Sequence, residues 1–291
     1  MSTTPQFIDQ VEAPTPTYVR IDPAMANQLL ERNTKNRALR ESRVQRYVTD
    51  MQAGNWPAST DAIAVAADGT ILNGQHRLHA IVRLGVTTKH LFVAGLPAES
   101  MKVIDTGLSR TAGDYFRARK CINPNLLAAV LKLIVARDLD TLGNLTAASK
   151  IITNSVLDEA LDKYEDLAVA GTNAAHKRRT SLPAPGRVLG FTHFLIAEVN
   201  GPDLADYFFD QLVEPVEEPR GSAVFAVTNR LRRIKEDSQR FEAPALAAVI
   251  IRGWNAYAVG ETLERVQIVK TGKGFAMPEV RRWNRPVPLA R

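Results

Sequence analysis

The sequence predicts an α+β chain: a small mixed α/β domain followed by a mainly helical one. Two observations predict it. Short alternating apolar runs and helical spacings take turns up to about residue 94, and from Asn123 onward long amphipathic stretches take over with few strand signals.

Residues 1–16 read as a flexible leader, being polar and proline-containing without an apolar period. Tyr18-Val19-Arg20-Ile21 has the alternation of a strand. Asp22-Pro23 then supplies a cap and a first-turn proline for a helix to about Arg32. After the break at 33–37, Arg40 to Ala53 places Val44, Tyr47, Val48 and Met51 on one helical face, and Gly54 ends it. Residues 62–66 and 70–72 read as two strands joined by a tight Asp68-Gly69 turn. Gln75 to Leu84 is helical, Gly85 is its C-cap, and His90 to Ala94 is a further strand. Later helices are expected at 126–138, 149–164, 188–199, 204–213, 223–239 and 245–257, with loops at 183–186 and 214–221 and a tail around Trp283. The expected divisions are 1–16, 17–120 and 121–291.

A chain of 291 residues with 45% hydrophobic content can fill real cores. Its net charge of +6 favours phosphate-bearing partners. Cys121 is the sole cysteine, which excludes an intramolecular disulfide and a multi-thiolate zinc site. The N-terminus lacks the charged start and apolar core of a secretory signal, and no apolar run reaches bilayer length. A cytoplasmic location with no membrane partner is therefore expected.

The chemistry-bearing element is Asn73-Gly74-Gln75-His76-Arg77, between a predicted strand and a predicted helix. Backbone N–H groups at such a helix start attract anions. Gly74 permits close approach, His76 can donate or accept, and Arg77 offers a planar fork of donors. The plainer reading of the same residues is an ordinary turn with surface hydrogen bonds.

The run from Arg20 to Val93, with Asn36-Arg37, the helix ending at Gly54, the Asp68-Gly69 turn and Gly74 to Ala80, resembles the N-terminal domain of the ParB/sulfiredoxin superfamily over about a third of the chain. Asn36-Arg37, Met51 to Trp56, Gly74 to Arg77 and Ile104 to Arg110 together resemble bacteriophage proteins labelled ParB-like nuclease domain proteins. The resemblance implies a bound nucleoside triphosphate, ATP or CTP. Asn73, Gly74, Gln75, His76 and Arg77 would sit at its phosphates and Asn36 and Arg37 across the cleft. Gln75 replaces the sulfiredoxin cysteine, which excludes sulfinic-acid reduction. Partitioning proteins carry Glu and Arg where Gln75 and His76 stand, which separates this chain from their CTP-driven clamp. Related kinases share the His-Arg pair, with an acidic residue where this chain has Asn73.

Asp105, with Thr106 and Arg110, is expected to close that pocket, Asp105 through Mg²⁺ or as a base and Arg110 on phosphate; a turn cap paired with Arg110 is the competing reading. Glu41 is a second candidate acid or base, or simply a helix N-terminal carboxylate, and His76 a third participant. Lys177, Arg178 and Arg179, and Arg230, Arg232 and Arg233, form two basic clusters suited to a DNA backbone or to a solvated helix face. The partners expected are a nucleotide, DNA and a second copy of the chain. The leading expectation is a nucleotide-binding protein that acts on or with DNA. Its rivals are a phosphotransferase or nucleotide hydrolase and a non-catalytic DNA-binding regulator. A nuclease ranks lower because no clear cluster of metal-binding carboxylates is legible.

Overall fold

The computed structural model describes residues 16–33, 38–57, 59–102, 111–214, 222–237, 241–268, 270–271, 274–275 and 277–286. The chain divides into two compact units, 1–109 and 110–291.

In the first unit the elements run β1 (Thr17–Ile21), α1 (Pro23–Glu31), α2 (Glu41–Gln52), β2 (Ile63–Ala66), β3 (Ile71–Asn73), α3 (Gln75–Leu84) and β4 (Thr88–Leu96), ending in a short 3-10 helix, Ala98–Lys102. The sheet order is β1-β4-β2-β3, with β4 antiparallel to β1 and parallel to β2, and β2 antiparallel to β3. This is a four-stranded mixed sheet, as the alternation of elements predicts. All four residues of β2 are buried, as expected for a strand with neighbours on both sides. Ile63 and Ile71 pack with Ile21, Val44, Leu78 and Ile81 on the face that α1, α2 and α3 cover. The Asp68-Gly69 turn forms: Gly69 takes φ +86°, its N–H donates to Ala66 O, and the Asp68 carboxylate accepts from Thr70 N–H at 2.8 Å.

The second unit contains α4 (Ala112–Ala118), α5 (Pro124–Asp138), α6 (Leu145–Ile151), α7 (Asn154–Arg178), α8 (Gly186–Asn200), α9 (Pro202–Val213), α10 (Ala223–Glu236) and α11 (Ala243–Val259), followed by a two-stranded pair, β5 (Lys270–Thr271) and β6 (Gly274–Phe275). Helix α4 packs on α5 and α7 and buries Phe116 in the helical core, so it falls with the second compact unit. The expected helices need correction in one stretch. The single helix expected over 149–164 is two: α6 ends at Ile151, and the Thr153 hydroxyl accepts from Val156 N–H to start α7. Helix α7 then continues past a bend at Tyr164 to Arg178. It lies against α8 through glycine, since a Cβ on Gly171 would stand 2.5 Å from the Gly190 carbonyl oxygen.

The tail is bound through its backbone. Trp254 Nε1 and the Asn200 amide both donate to Arg281 O, and Asn200 and Asn255 side-chain carbonyls accept from Trp283 N–H and Arg281 N–H. The Trp283 ring joins Trp254, Tyr257 and Tyr207, extending the core beyond α11.

Candidate functional site

Gly74 is the N-cap of α3 at φ +102°, a left-handed conformation that favours glycine. A Cβ there would also lie 2.9 Å from Ile63 Cγ1, so the glycine lets β3 turn into α3 against β2. The three side chains that follow are buried: Gln75, His76 and Arg77 are 5%, 4% and 3% exposed.

Arg77 turns inward. Its NH1 donates to Asp61 O, and NH2 donates to Ala62 O at 2.8 Å and to the Asp61 carboxylate at 3.3 Å. Asp61 also accepts from the Asn73 amide at 3.0 Å. The expectation that Arg77 presents its fork to phosphate is therefore corrected: main-chain carbonyls at the entry to β2 receive it. The same partners explain Asn73, whose amide braces Asp61.

His76 and Gln75 join the turn to the segment before α2. Arg40 N–H donates to His76 Nε2 at 3.1 Å, which leaves the ring proton on Nδ1 if the imidazole is neutral. The Asn33 amide donates to Gln75 Oε1 at 3.0 Å. The N-cap of α2 is thus tied to a side chain from the first turn of α3, and each helix start offers the positive end of its own dipole. Arg40 and Ser42 are exposed at that junction, and neither Arg40 nor Arg43 forms an ion pair among the described residues. Glu41 does: its carboxylate is held by Arg83 from the far end of α3, on the surface. That pairing makes Glu41 a surface ion-pair partner at the start of α2. Asn36, Arg37, Asp105, Thr106 and Arg110 lie outside the described residues, though Asn33 and Arg40, which flank the first two in sequence, both bond to the turn.

Beneath Arg77, His90 is 3% exposed, with its Nε2 2.7 Å from the Thr88 hydroxyl and its ring 5.6 Å from Trp56, which in turn packs edge-on to Tyr47. Burial, reinforced by the Arg77 charge, pushes its pKa down to about 4 against a partial opposing pull from Asp61. The folded state keeps this imidazole neutral while the unfolded chain binds a proton near 6.5. Stability from this source is full above about pH 6.5 and falls as pH drops toward 4, by roughly 3 kcal/mol in all. Denaturant titrations of the wild type and His90→Gln across pH 4–7.5 check this; a fall of equal size in the variant would contradict it.

In the helical unit, Arg178 is corrected from the expected basic face. It is 4% exposed and its guanidinium reaches Asp206 and Asp210 of α9, both at 2.8 Å. A cation so buried must be paired, and these carboxylates supply the pairing. Asp206 also lies 3.4 Å from the fully buried His193, and these neighbours, His193 first, hold the Asp206 carboxyl below its ordinary range. Lys177, Arg179, Arg232 and Arg233 remain exposed, whereas Arg230 is half-buried over the Phe241 ring.

Among the described residues no three of His, Cys, Asp and Glu gather as a metal-binding group, and no helix is long and apolar enough to cross a membrane. Comparison with family models, curated proteins and solved structures returns no match for this chain.

Proposed function

We propose that the chain is a ParB/sulfiredoxin-like protein that binds a nucleoside triphosphate where α2 and α3 begin, and that acts on or with DNA through its helical unit. The observation that supports the nucleotide half is the Arg40 N–H to His76 Nε2 hydrogen bond, which ties the N-cap of α2 to the first turn of α3. Helix N-termini favour phosphate through their dipoles and free N–H groups. In this reading the phosphates meet backbone amides with Arg40, Ser42 and Arg43, while Arg77 and His76 hold the two helix starts in place from inside. A Mg²⁺ ion, if it accompanies the nucleotide, would need carboxylate oxygen, for which Asp105 is the candidate from the sequence.

Titration of the full chain with ATP and CTP by calorimetry tests the proposal. Arg40→Glu is expected to weaken binding by about tenfold or more, since it places a like charge against phosphate, and to leave the melting temperature within about 2 °C because the side chain is exposed. No binding of either nucleotide to the wild type would overturn the reading. Product analysis with labelled ATP and CTP then separates hydrolysis or phosphoryl transfer from simple binding.

A second reading is a DNA-binding regulator that needs no nucleotide. It draws on the exposed Lys177, Arg179, Arg232 and Arg233, none of which forms an ion pair among the described residues. Salt-dependent DNA binding unchanged by ATP or CTP and by Arg40→Glu would favour it.

A further inference from the structure

Between α10 and the chain after α11 lies an open cleft of about 760 Å³. Arg230 and Arg233 of α10 line it together with Arg265 of the later segment, and Phe241, Val266 and Ile268 give it an apolar surface. None of the three arginines forms an ion pair or a protein hydrogen bond among the described residues. Among the described residues Glu264 is the single carboxylate in the lining.

Arg230 is the most constrained of them. Its guanidinium stands over the Phe241 ring at 5.9 Å, and its Nε is sealed from solvent without a hydrogen-bond partner. A buried donor left unmade costs free energy, so the molecule holds this guanidinium in an under-satisfied state. The Phe241 ring lies beside this guanidinium and only its Nε is sealed, so the terminal nitrogens can meet an anion.

We propose that this cleft is a groove for a single-stranded polynucleotide, with Arg230, Arg233 and Arg265 on successive phosphates and the Phe241 and Ile268 surface against a base. The inference deepens the DNA half of the proposed function and rests on it. Three observations select a single strand. Cations from two separate segments with an aromatic in the same lining match a strand that threads its backbone along one side and turns its bases to a hydrophobic surface. A duplex keeps its bases stacked inside and presents only phosphates and groove edges, so it cannot turn a base to the Phe241 surface. A second cleft of about 530 Å³ shares residues 264–267 and adds Arg252 and Arg281 to its lining, which gives this segment room for more than one nucleotide. In that second cleft Arg281 is paired with Glu261 and Arg252 donates to Gln267 O, so the unpaired charge concentrates in the first cleft.

The test uses fluorescence anisotropy of the full chain with labelled dT12 and with a 12-base-pair duplex, at 50 and 200 mM salt. The double variant Arg233→Gln, Arg265→Gln removes two exposed cations. It is expected to weaken dT12 binding by about tenfold or more and to flatten the slope of log K on log salt by about 1.4, the value for two single-strand phosphates. A charge-matched control, Lys132→Gln, Lys150→Gln, alters two exposed lysines outside the cleft and should change dT12 affinity by less than about twofold. Equal weakening by both pairs would assign binding to net charge and overturn the groove. Duplex bound more tightly than dT12 would also overturn it while leaving DNA association intact; no binding to either would remove both. A thermal melt of each variant establishes that the fold survives.

Discussion

Replacing Arg77 by alanine is expected to destabilise the N-terminal unit by roughly 3 kcal/mol, the range for removing one partner of a buried charged hydrogen-bond set. The guanidinium donates to Asp61 O, Ala62 O and the Asp61 carboxylate from a position 3% exposed. Without it two main-chain carbonyls lose a charged donor at the start of β2, and a volume the size of an arginine side chain opens beside His90. Arg77→Lys should recover only part of the loss, because one ammonium cannot reproduce a fork that reaches two carbonyls. Native-state hydrogen exchange reads this locally: protection of β2 and β3 amides should fall while α11 is unchanged. Unaltered protection together with loss of nucleotide binding would instead place Arg77 on phosphate. A substitution at this residue therefore reports on folding before it reports on ligand.

Gly171→Ala is expected to cost the helical unit roughly 3 kcal/mol, although alanine is the better helix former by about 1 kcal/mol. The added methyl would meet the Gly190 carbonyl oxygen at 2.5 Å, and that oxygen belongs to the α8 backbone, so relief requires two helices to move apart. Gly190→Ala should be milder: its methyl meets chiefly Val130 Cγ2 at 2.6 Å, a side chain that can turn, with Gly171 O at 3.1 Å. For a unit of this size the first loss corresponds to a fall of about 10 °C in Tm, measurable by circular dichroism. A Gly171→Ala protein that melts at or above the wild type would show that the α7–α8 contact is looser than this geometry.

Elements bounded by special residues were legible in the sequence. Gly74 and Gly85 mark the ends of α3, and both take positive φ; Asp68-Gly69 marks the β2–β3 turn. Helix α4 escaped because it has seven residues and a glycine inside, although Thr111 and Asp114 form a capping box that the spacing contains. The second half of α7 escaped because it buries Ala168, Gly171, Ala174 and Ala175 in place of large apolar side chains. Small residues weaken the apolar period while permitting the closest packing.

The candidate site was legible as a place but not as a set of partners. Position between a strand and a helix follows from local pattern. That Arg77 would face Asp61 and Ala62 depends on where β2 starts, some fifteen residues upstream, and Arg40 meets His76 only after α2 and α3 pack. Arg178 could have been separated from its neighbours, since Gly171, Ala174, Ala175 and Arg178 share one helical face and Asp206 and Asp210 stand one turn apart on α9. Arg265 and Phe241 carried no local signal, because the cleft they line is assembled from segments distant in the sequence.

Hydrogen–deuterium exchange of the full chain with and without ATP or CTP tests the central claim most directly. Slowed exchange confined to residues 40–44 and 74–78 is the predicted result, with the rest of the N-terminal unit unaffected. Protection that appears elsewhere while those amides exchange as before would contradict phosphate binding at the joined starts of α2 and α3.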